Sequence, residues 1–283
     1  MSDTKLHITH VMHRFDTGGL ENGVVNLINH LDERLYRHSI VTLKGYNPEF
    51  AARILTANVE YFDLEKREGN DLGVFLRLNR LLKILQPDIL HTRNTSALEM
   101  QLVGWWRSIK LRVHGEHGWD INDLKGQNWK YKFLKKVMKR FIHKYISLSQ
   151  EATNYIINVI KVDAKKVNRI CNGVDTNKFN SQVSSTIELP NGFIEKDSLV
   201  FGTVGRLAQV KNQGFLLEAF IHLLDRFPEH ANRLKLLIVG DGILMEKLTE
   251  RCEQAKPRAH FRQEQTVFLV GHERRPPVSD QCV

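Results

Sequence analysis

Cysteine is scarce. Cys171, Cys252 and Cys282 are the three in 283 residues, widely spaced and in no CxxC pair. That excludes a disulfide framework and a cysteine-based zinc site, and it fits a reducing cytosol. Long apolar runs are also missing, and no stretch approaches the roughly 20 apolar residues of a spanning helix. The first twenty residues carry Asp, Lys, Arg and three His where a signal peptide has its apolar core. Seven Pro and 18 Gly are too few for a low-complexity chain. What is present, 42% hydrophobic and 26% charged residues, excludes disordered, fibrous and polytopic membrane classes. The length suits two domains, each with its own core, in the cytoplasm.

Acidic residues are absent from one place in particular. Between Asp123 and Glu151 there is none, while Lys125, Lys130, Lys132, Lys135, Lys136, Lys139, Arg140 and Lys144 fall there. Taking these eight from the 41 basic residues leaves 33 against 32 acidic ones. The net charge of +9 is therefore a local patch, and nucleic acid is not an expected partner.

Short β-branched runs alternate with amphipathic stretches, which predicts parallel sheets covered by helices. Strands are expected at 6–12, 38–44, 59–64, 88–94, 110–117, 144–149 and 166–171. Helices are expected at about 20–31, 72–85, 128–141 and 150–160. A second unit repeats the alternation, with strands at 199–205, 234–240 and 266–271 and helices at 212–227 and 243–254. Its first strand, LVFGTVG, is apolar enough to be a buried parallel strand. Turn signals mark the junction. The expected division is a domain over 1–178, a linker over 179–197, a partial second domain over 198–271 and an aberrant tail over 272–283. Two such α/β domains in series predict a ligand cleft at the carboxyl ends of their strands.

Several motifs fall at those ends. Gly18 and Gly19 lie where a first strand enters a helix, and they let backbone N–H groups approach an anion or simply form a tight turn. His114, Glu116, His117 and Asp120 lie in HGEHGWD, a spacing open to acid/base chemistry and poor for a metal site. Gly205, Arg206 and Lys211 lie at the start of a helix, where two cations call for a bound diphosphate. Asn172 in NGVD and Gly240, Asp241 and Gly242 in VGDG are turns placed beside the cleft. In the basic helix, Phe133, Leu134, Val137, Met138, Phe141 and Ile142 form a core stripe. Lys132, Lys135, Lys136, Lys139 and Arg140 spread over the remainder, either a solvated face or a docking surface for anionic lipid.

In combination and order, the GG loop, EHG, NGVD, GRL with K-N downstream and VGDG resemble the retaining GT4-family glycosyltransferases of the GT-B fold. The run HGEHGWD…NWKY resembles bacterial exopolysaccharide sugar transferases, including those of PEP-CTERM/EpsH systems. The resemblance implies an α/β, GT-B fold of two Rossmann-like domains facing a cleft. It implies transfer of a hexose from a nucleotide-sugar donor to a glycan or lipid-linked acceptor, with retention and without a metal or other cofactor. His117 would lie beside the transferred sugar, with Asp120 and Asn172 on the acceptor side. Arg206 and Lys211 would stabilise the leaving diphosphate, approached by Gly18, Gly19, Gly205, Gly240, Asp241 and Gly242. The expected place is the inner face of the plasma membrane. The family's E-x₇-E region has no counterpart after 271, which implies a truncated and impaired chain. A GT-B nucleotide-sugar epimerase and a non-catalytic membrane-binding remnant are the alternatives.

Overall fold

The computed structural model describes residues 5–117, 123, 126–177, 179–180, 189, 193–255 and 267–270. The chain divides into two compact units, Met1–Phe179 and Asn180–Val283. Among the described residues no helix is long and apolar enough to cross a membrane.

Unit one is built on a seven-stranded parallel sheet. Its strands are β1 (Leu6–Met12), β2 (Tyr36–Thr42), β3 (Val59–Asp63), β4 (Ile89–Arg93), β5 (Leu111–Glu116), β6 (Lys144–Ser147) and β7 (Val167–Arg169). Their order is β3-β2-β1-β4-β5-β6-β7. The helices are α1 (Gly19–His30), α2 (Pro48–Ala51), α3 (Gly73–Leu85), α4 (Asn94–Leu98), α5 (Met100–Trp106), α6 (Trp129–Met138) and α7 (Gln150–Asn154). α3 ends at Gln86, which takes the left-handed conformation (φ 44°) just before Pro87. One sheet face packs Val11, Val41 and Leu90 against α3 and α5, and the other packs Met12 and Ile40 against α1. Both faces of the central strands are thus buried. The strands expected from the pattern are all present: β1 keeps its expected bounds, β2 starts and ends two residues earlier, and β3 to β7 are trimmed. α2, α4 and α5 were not expected, and the helix expected over 150–160 finishes as a π-turn at Tyr155–Val159.

Unit two holds β8 (Leu199–Val204), β9 (Leu234–Val239) and β10 (Val267–Val270) in the parallel order β10-β9-β8. Helices α8 (Gln213–Arg226) and α9 (Met245–Ala255) pack Leu217, Phe220, Ile221, Leu248 and Cys252 onto β9. Among the described residues β8 is an edge strand, so Leu199 and Val204 are exposed and the expected burial of this run does not hold.

α6 corrects the reading of the basic segment. Lys135 is buried, and its Nζ lies 2.8 Å from Glu116 Oε1 at the end of β5. Lys139 Nζ donates to the carbonyls of Ile160 and Lys161. The Lys135 ammonium is thus withdrawn from a lipid surface, and that of half-exposed Lys139 is held by two carbonyls. Phe133 and Val137, expected in the core stripe, are exposed, and with Trp129 they form an outward row at i, i+4 and i+8. Lys136 and Arg140 are exposed and Lys132 half-buried.

Buried histidines cross the same sheet. His10 Nε2 and His38 Nδ1 are 3.2 Å apart, and the His10 ring lies 5.5 Å from that of His91. Burial first, then the nearby Arg93 charge, holds His10 and His91 well below the usual imidazole range, and burial brings His38 to about 4. In the unfolded chain these rings titrate near their ordinary value, about 6.5. Below that value the unfolded state binds more protons, so stability falls with pH by about 1.4 kcal/mol per pH unit for each fully differential ring. Urea midpoints followed by tryptophan fluorescence should therefore hold steady above about pH 7 and fall steeply towards about pH 4.5. Lys135→Ala should cost about 3–5 kcal/mol in the same assay, because it leaves the Glu116 charge buried and unpaired. Lys136→Ala should change the midpoint little.

Candidate active site

The strand order of unit one reverses between β1 and β4, so the loops leaving these strands run in opposite directions. The crevice at their carboxyl ends is where doubly wound sheets bind ligands. β1 leads to Gly18 and Gly19 at the start of α1, and β4 delivers Arg93 and Asn94. β5 lies next to β4 with Gly115 opposite Arg93, and it carries His117 just past its end.

His117 is held at two points. Its backbone N–H donates to Asn94 Oδ1 at 2.9 Å, from an Asn94 in the left-handed conformation (φ 56°). Its Nε2 lies 3.2 Å from Arg93 Nη1. The ring folds back over β5, where a Cβ on residue 115 would come within 2.5 Å of His117 Nε2, so only glycine leaves it room. Burial, and then the charge of Arg93, push the His117 pKa down to about 3, so the ring is neutral. A guanidinium can only donate. Nε2 therefore accepts, and the proton of the neutral ring sits on Nδ1, which is enclosed and makes no hydrogen bond.

The other half of the HGEH run is structural. His114 is fully buried, with Nδ1 2.8 Å from Thr92 Oγ1 and Nε2 3.5 Å from Glu116 Oε1. Gln101 donates to Thr92 in turn. Burial would raise the Glu116 carboxyl, but hydrogen bonding from His114 and the charge of Lys135 outweigh it and bring it to about 2. Glu116 is thus a fixed anion one residue from His117. Each ring has one side-chain partner at hydrogen-bond distance, Thr92 for His114 and Arg93 for His117, where local backbone partners were the alternative. The other ring nitrogen of each meets no partner at that distance.

A cavity of about 420 Å³ opens on the α1 side of this crevice. Arg93, His91 and His117 line it, together with His30, Asn26 and Asn172. The structure thus brings His117 and Asn172 to one cavity. Asp120 lies outside the described residues. Gly18 is extended (φ −170°), and the space beside it holds the flexible carboxylate of Glu21, which an approaching phosphate would have to displace.

In unit two the loops after β8 and β9 are zipped together. Gly205 N–H donates to Val239 O, and Leu207 N–H donates to Asp241 O, each at 2.8 Å. A Cβ on residue 240 (φ 154°) would lie 1.9 Å from Gly205 O, which makes glycine obligatory there. Arg206 and Lys211 sit on the exposed connection from β8 to α8. Asn212, the residue before α8, is left-handed and its side chain caps nothing. The first N–H groups of a 14-residue helix thus stand beside two cations. Among the described residues no three His, Cys, Asp or Glu side chains group in a way that could hold a metal ion.

Sequence reasoning did not single out Arg93, Asn94 or Gly115. The polar end of DILHTRN was the available signal, but its place at the strand-order reversal depends on long-range pairing.

Residues 17–178, more than half of the chain, match the family Glycosyltransferase Family 4. Over 267 residues the chain is 24% identical to EpsF of Bacillus subtilis, named as a glycosyltransferase, covering 90% of this chain and 67% of EpsF. Over 185 residues it is 29% identical to the Escherichia coli UDP-Gal:alpha-D-GlcNAc-diphosphoundecaprenol alpha-1,3-galactosyltransferase, covering 63% of this chain and 46% of that enzyme. The crystal structure of Anabaena HepE in complex with UDP matches with a TM-score of 0.66 at 17% identity, over 94% of this chain and 69% of HepE. At that identity the likeness speaks for the fold, which is GT-B, and the family match favours a transferase over an epimerase. The chain belongs to Glycosyltransferase Family 4 and is a glycosyltransferase.

Proposed function

We propose that this chain moves a hexose from a nucleotide-sugar donor to a hydroxyl of a glycan or lipid-linked acceptor in exopolysaccharide assembly, with retention and without a metal. The observation that carries the reading is the 3.2 Å contact of His117 Nε2 with the Arg93 guanidinium. With Nε2 occupied by Arg93 and a pKa near 3, His117 cannot serve as a base for the incoming hydroxyl. Its neutral ring lines the cavity beside the transferred sugar, with Nδ1–H enclosed. The proton of the incoming hydroxyl then passes to the departing phosphate oxygen, and this route delivers the hydroxyl on the face the phosphate leaves, which is retention. Charge growing on the diphosphate is met by Arg206, Lys211 and the uncapped N-terminus of α8, so fixed cations do the work of a bound metal. Gly205, Gly240, Asp241 and Gly242 shape the backbone around the nucleotide, while Gly18 and Gly19 keep the start of α1 open to the diphosphate. Asn172, in the cavity with His117, contacts the acceptor. The E. coli relative acts on a diphosphoundecaprenol-linked sugar and HepE binds UDP, which supports a lipid-linked acceptor and makes UDP the first probe.

Peripheral attachment to anionic lipid is part of this reading, carried by the outward row Trp129, Phe133 and Val137 beside Lys132, Lys136 and Arg140. Anionic and zwitterionic vesicles should separate in a sedimentation assay, with the anionic ones retaining the protein. Trp129→Ser/Phe133→Ser and Lys136→Glu/Arg140→Glu should each release it; retention of both variants would remove the docking role. For the chemistry, UDP release from UDP-hexoses is the readout. Arg206→Ala and Lys211→Ala should each lower kcat/KM by about tenfold to a hundredfold with the fold unchanged, since both side chains are exposed. Undiminished turnover in the double variant would end the reading.

A further inference from the structure

Arg93 is 4% exposed, yet it forms no ion pair among the described residues. Of the five N–H donors of a guanidinium, one is engaged, Nη1 to the His117 ring. Nε is enclosed without a partner. The negative charge that reaches Arg93 is that of Glu21, acting from beyond hydrogen-bond range. A cation taken out of water costs several kcal/mol unless an anion and hydrogen bonds compensate it. Among the described residues its hydrogen-bond compensation is a neutral imidazole, with the Glu21 charge acting from farther away.

Arg93 also lines the cavity of about 420 Å³, beside two more buried nitrogens without partners, Nδ1 of His117 and Nε2 of His91. Leu27, Ile146, Leu148 and Ile170 give the cavity an apolar side, while Asn26, His30, Asn172 and Asp175 give it a polar one. A buried guanidinium lining a partly apolar cavity favours an oxyanion carried on a larger organic molecule, because low polarity around the pair strengthens their attraction.

We propose that Arg93 is the anion anchor of this cavity, receiving a phosphate or diphosphate group of the acceptor while Nη1 keeps hold of His117. The proposal rests on the reading of unit one as the acceptor side. It makes an acidic acceptor the preferred substrate class and leaves the donor nucleotide to unit two.

The test uses the full chain and two soluble probes, an octyl-diphosphate-linked sugar and the uncharged octyl glycoside of the same sugar, with UDP as a third arm. Calorimetry should show the diphosphate probe binding more tightly than the uncharged one. Arg93→Gln should weaken it by about tenfold or more, and Arg93→Lys should restore part of that affinity. The uncharged probe and UDP should bind the three proteins alike. Equal affinity of charged and uncharged probes for the unaltered protein would overturn the proposal, and so would a loss confined to UDP. Should Arg93→Gln not fold, the unaltered protein still decides. Inorganic pyrophosphate should shift the imidazole ¹⁵N signals of His117, and unmoved signals at saturation would sink the idea. An acceptor reading that fails by itself looks different: the diphosphate probe binds through Arg93 but receives no sugar.

Discussion

The hydrogen bond from Arg93 to His117 decides what the rest of the crevice can do, because a guanidinium has no atom with which to accept. Once Nη1 points at Nε2, the imidazole must carry its proton on Nδ1, and the Arg93 charge opposes a second proton. The bond in turn depends on the parallel sheet. β4 and β5 are neighbours in a register that sets Gly115 opposite Arg93, and the absent side chain leaves space for the ring to fold back. Asn94 secures the backbone of His117 from the first residue of α4. Four consecutive features of the fold thus converge on one proton.

Charge is handled differently in the two units. In unit one the ionic groups near the site are buried and pre-positioned: Glu116 between His114 and Lys135, and Arg93 against His117. Such groups need no reorganisation when a ligand arrives, and their fields are poorly screened. In unit two Arg206 and Lys211 stand exposed on a connection, with the rigidity in the glycine-rich backbone beneath them. Exposed cations are weak by themselves. They gain strength only when a ligand excludes water from them.

Much of the fold was legible because each buried parallel strand needs a β-branched apolar run and each covering helix an apolar stripe, both local signals. α4 and α5 escaped because Asn94–Trp106 is short, begins at a left-handed residue and lacks a side-chain cap. The error over β8 has the opposite cause: Leu199, Phe201 and Val204 look like core, and edge position is not a local property. The same limit applies to the site. His117 and Asn172 stood out from the text of the chain and do share a cavity. Arg93 did not stand out, because its meaning comes from the strand order and from a ring 24 residues away.

Lys135 shows the limit most sharply, and magnitudes explain why its helix sits as it does. At about 100° per residue, Leu134, Lys135 and Met138 share one face of α6, and Trp129, Phe133 and Val137 the opposite one. Turning the helix to bury Phe133 and Val137 would bring out Leu134 and Met138, an exchange of apolar area that nearly cancels at about 1.5–3 kcal/mol per side chain. The same turn would carry Lys135 into solvent and leave Glu116 an unpaired buried anion, a loss of about 3–5 kcal/mol. The ion pair therefore fixes the rotation of α6, and the apolar row faces outward as its consequence. Hydrophobic periodicity, which weighs apolar side chains alone, therefore drew the stripe too wide: Leu134, Met138, Phe141 and Ile142 do pack in the core, and Phe133 and Val137 do not.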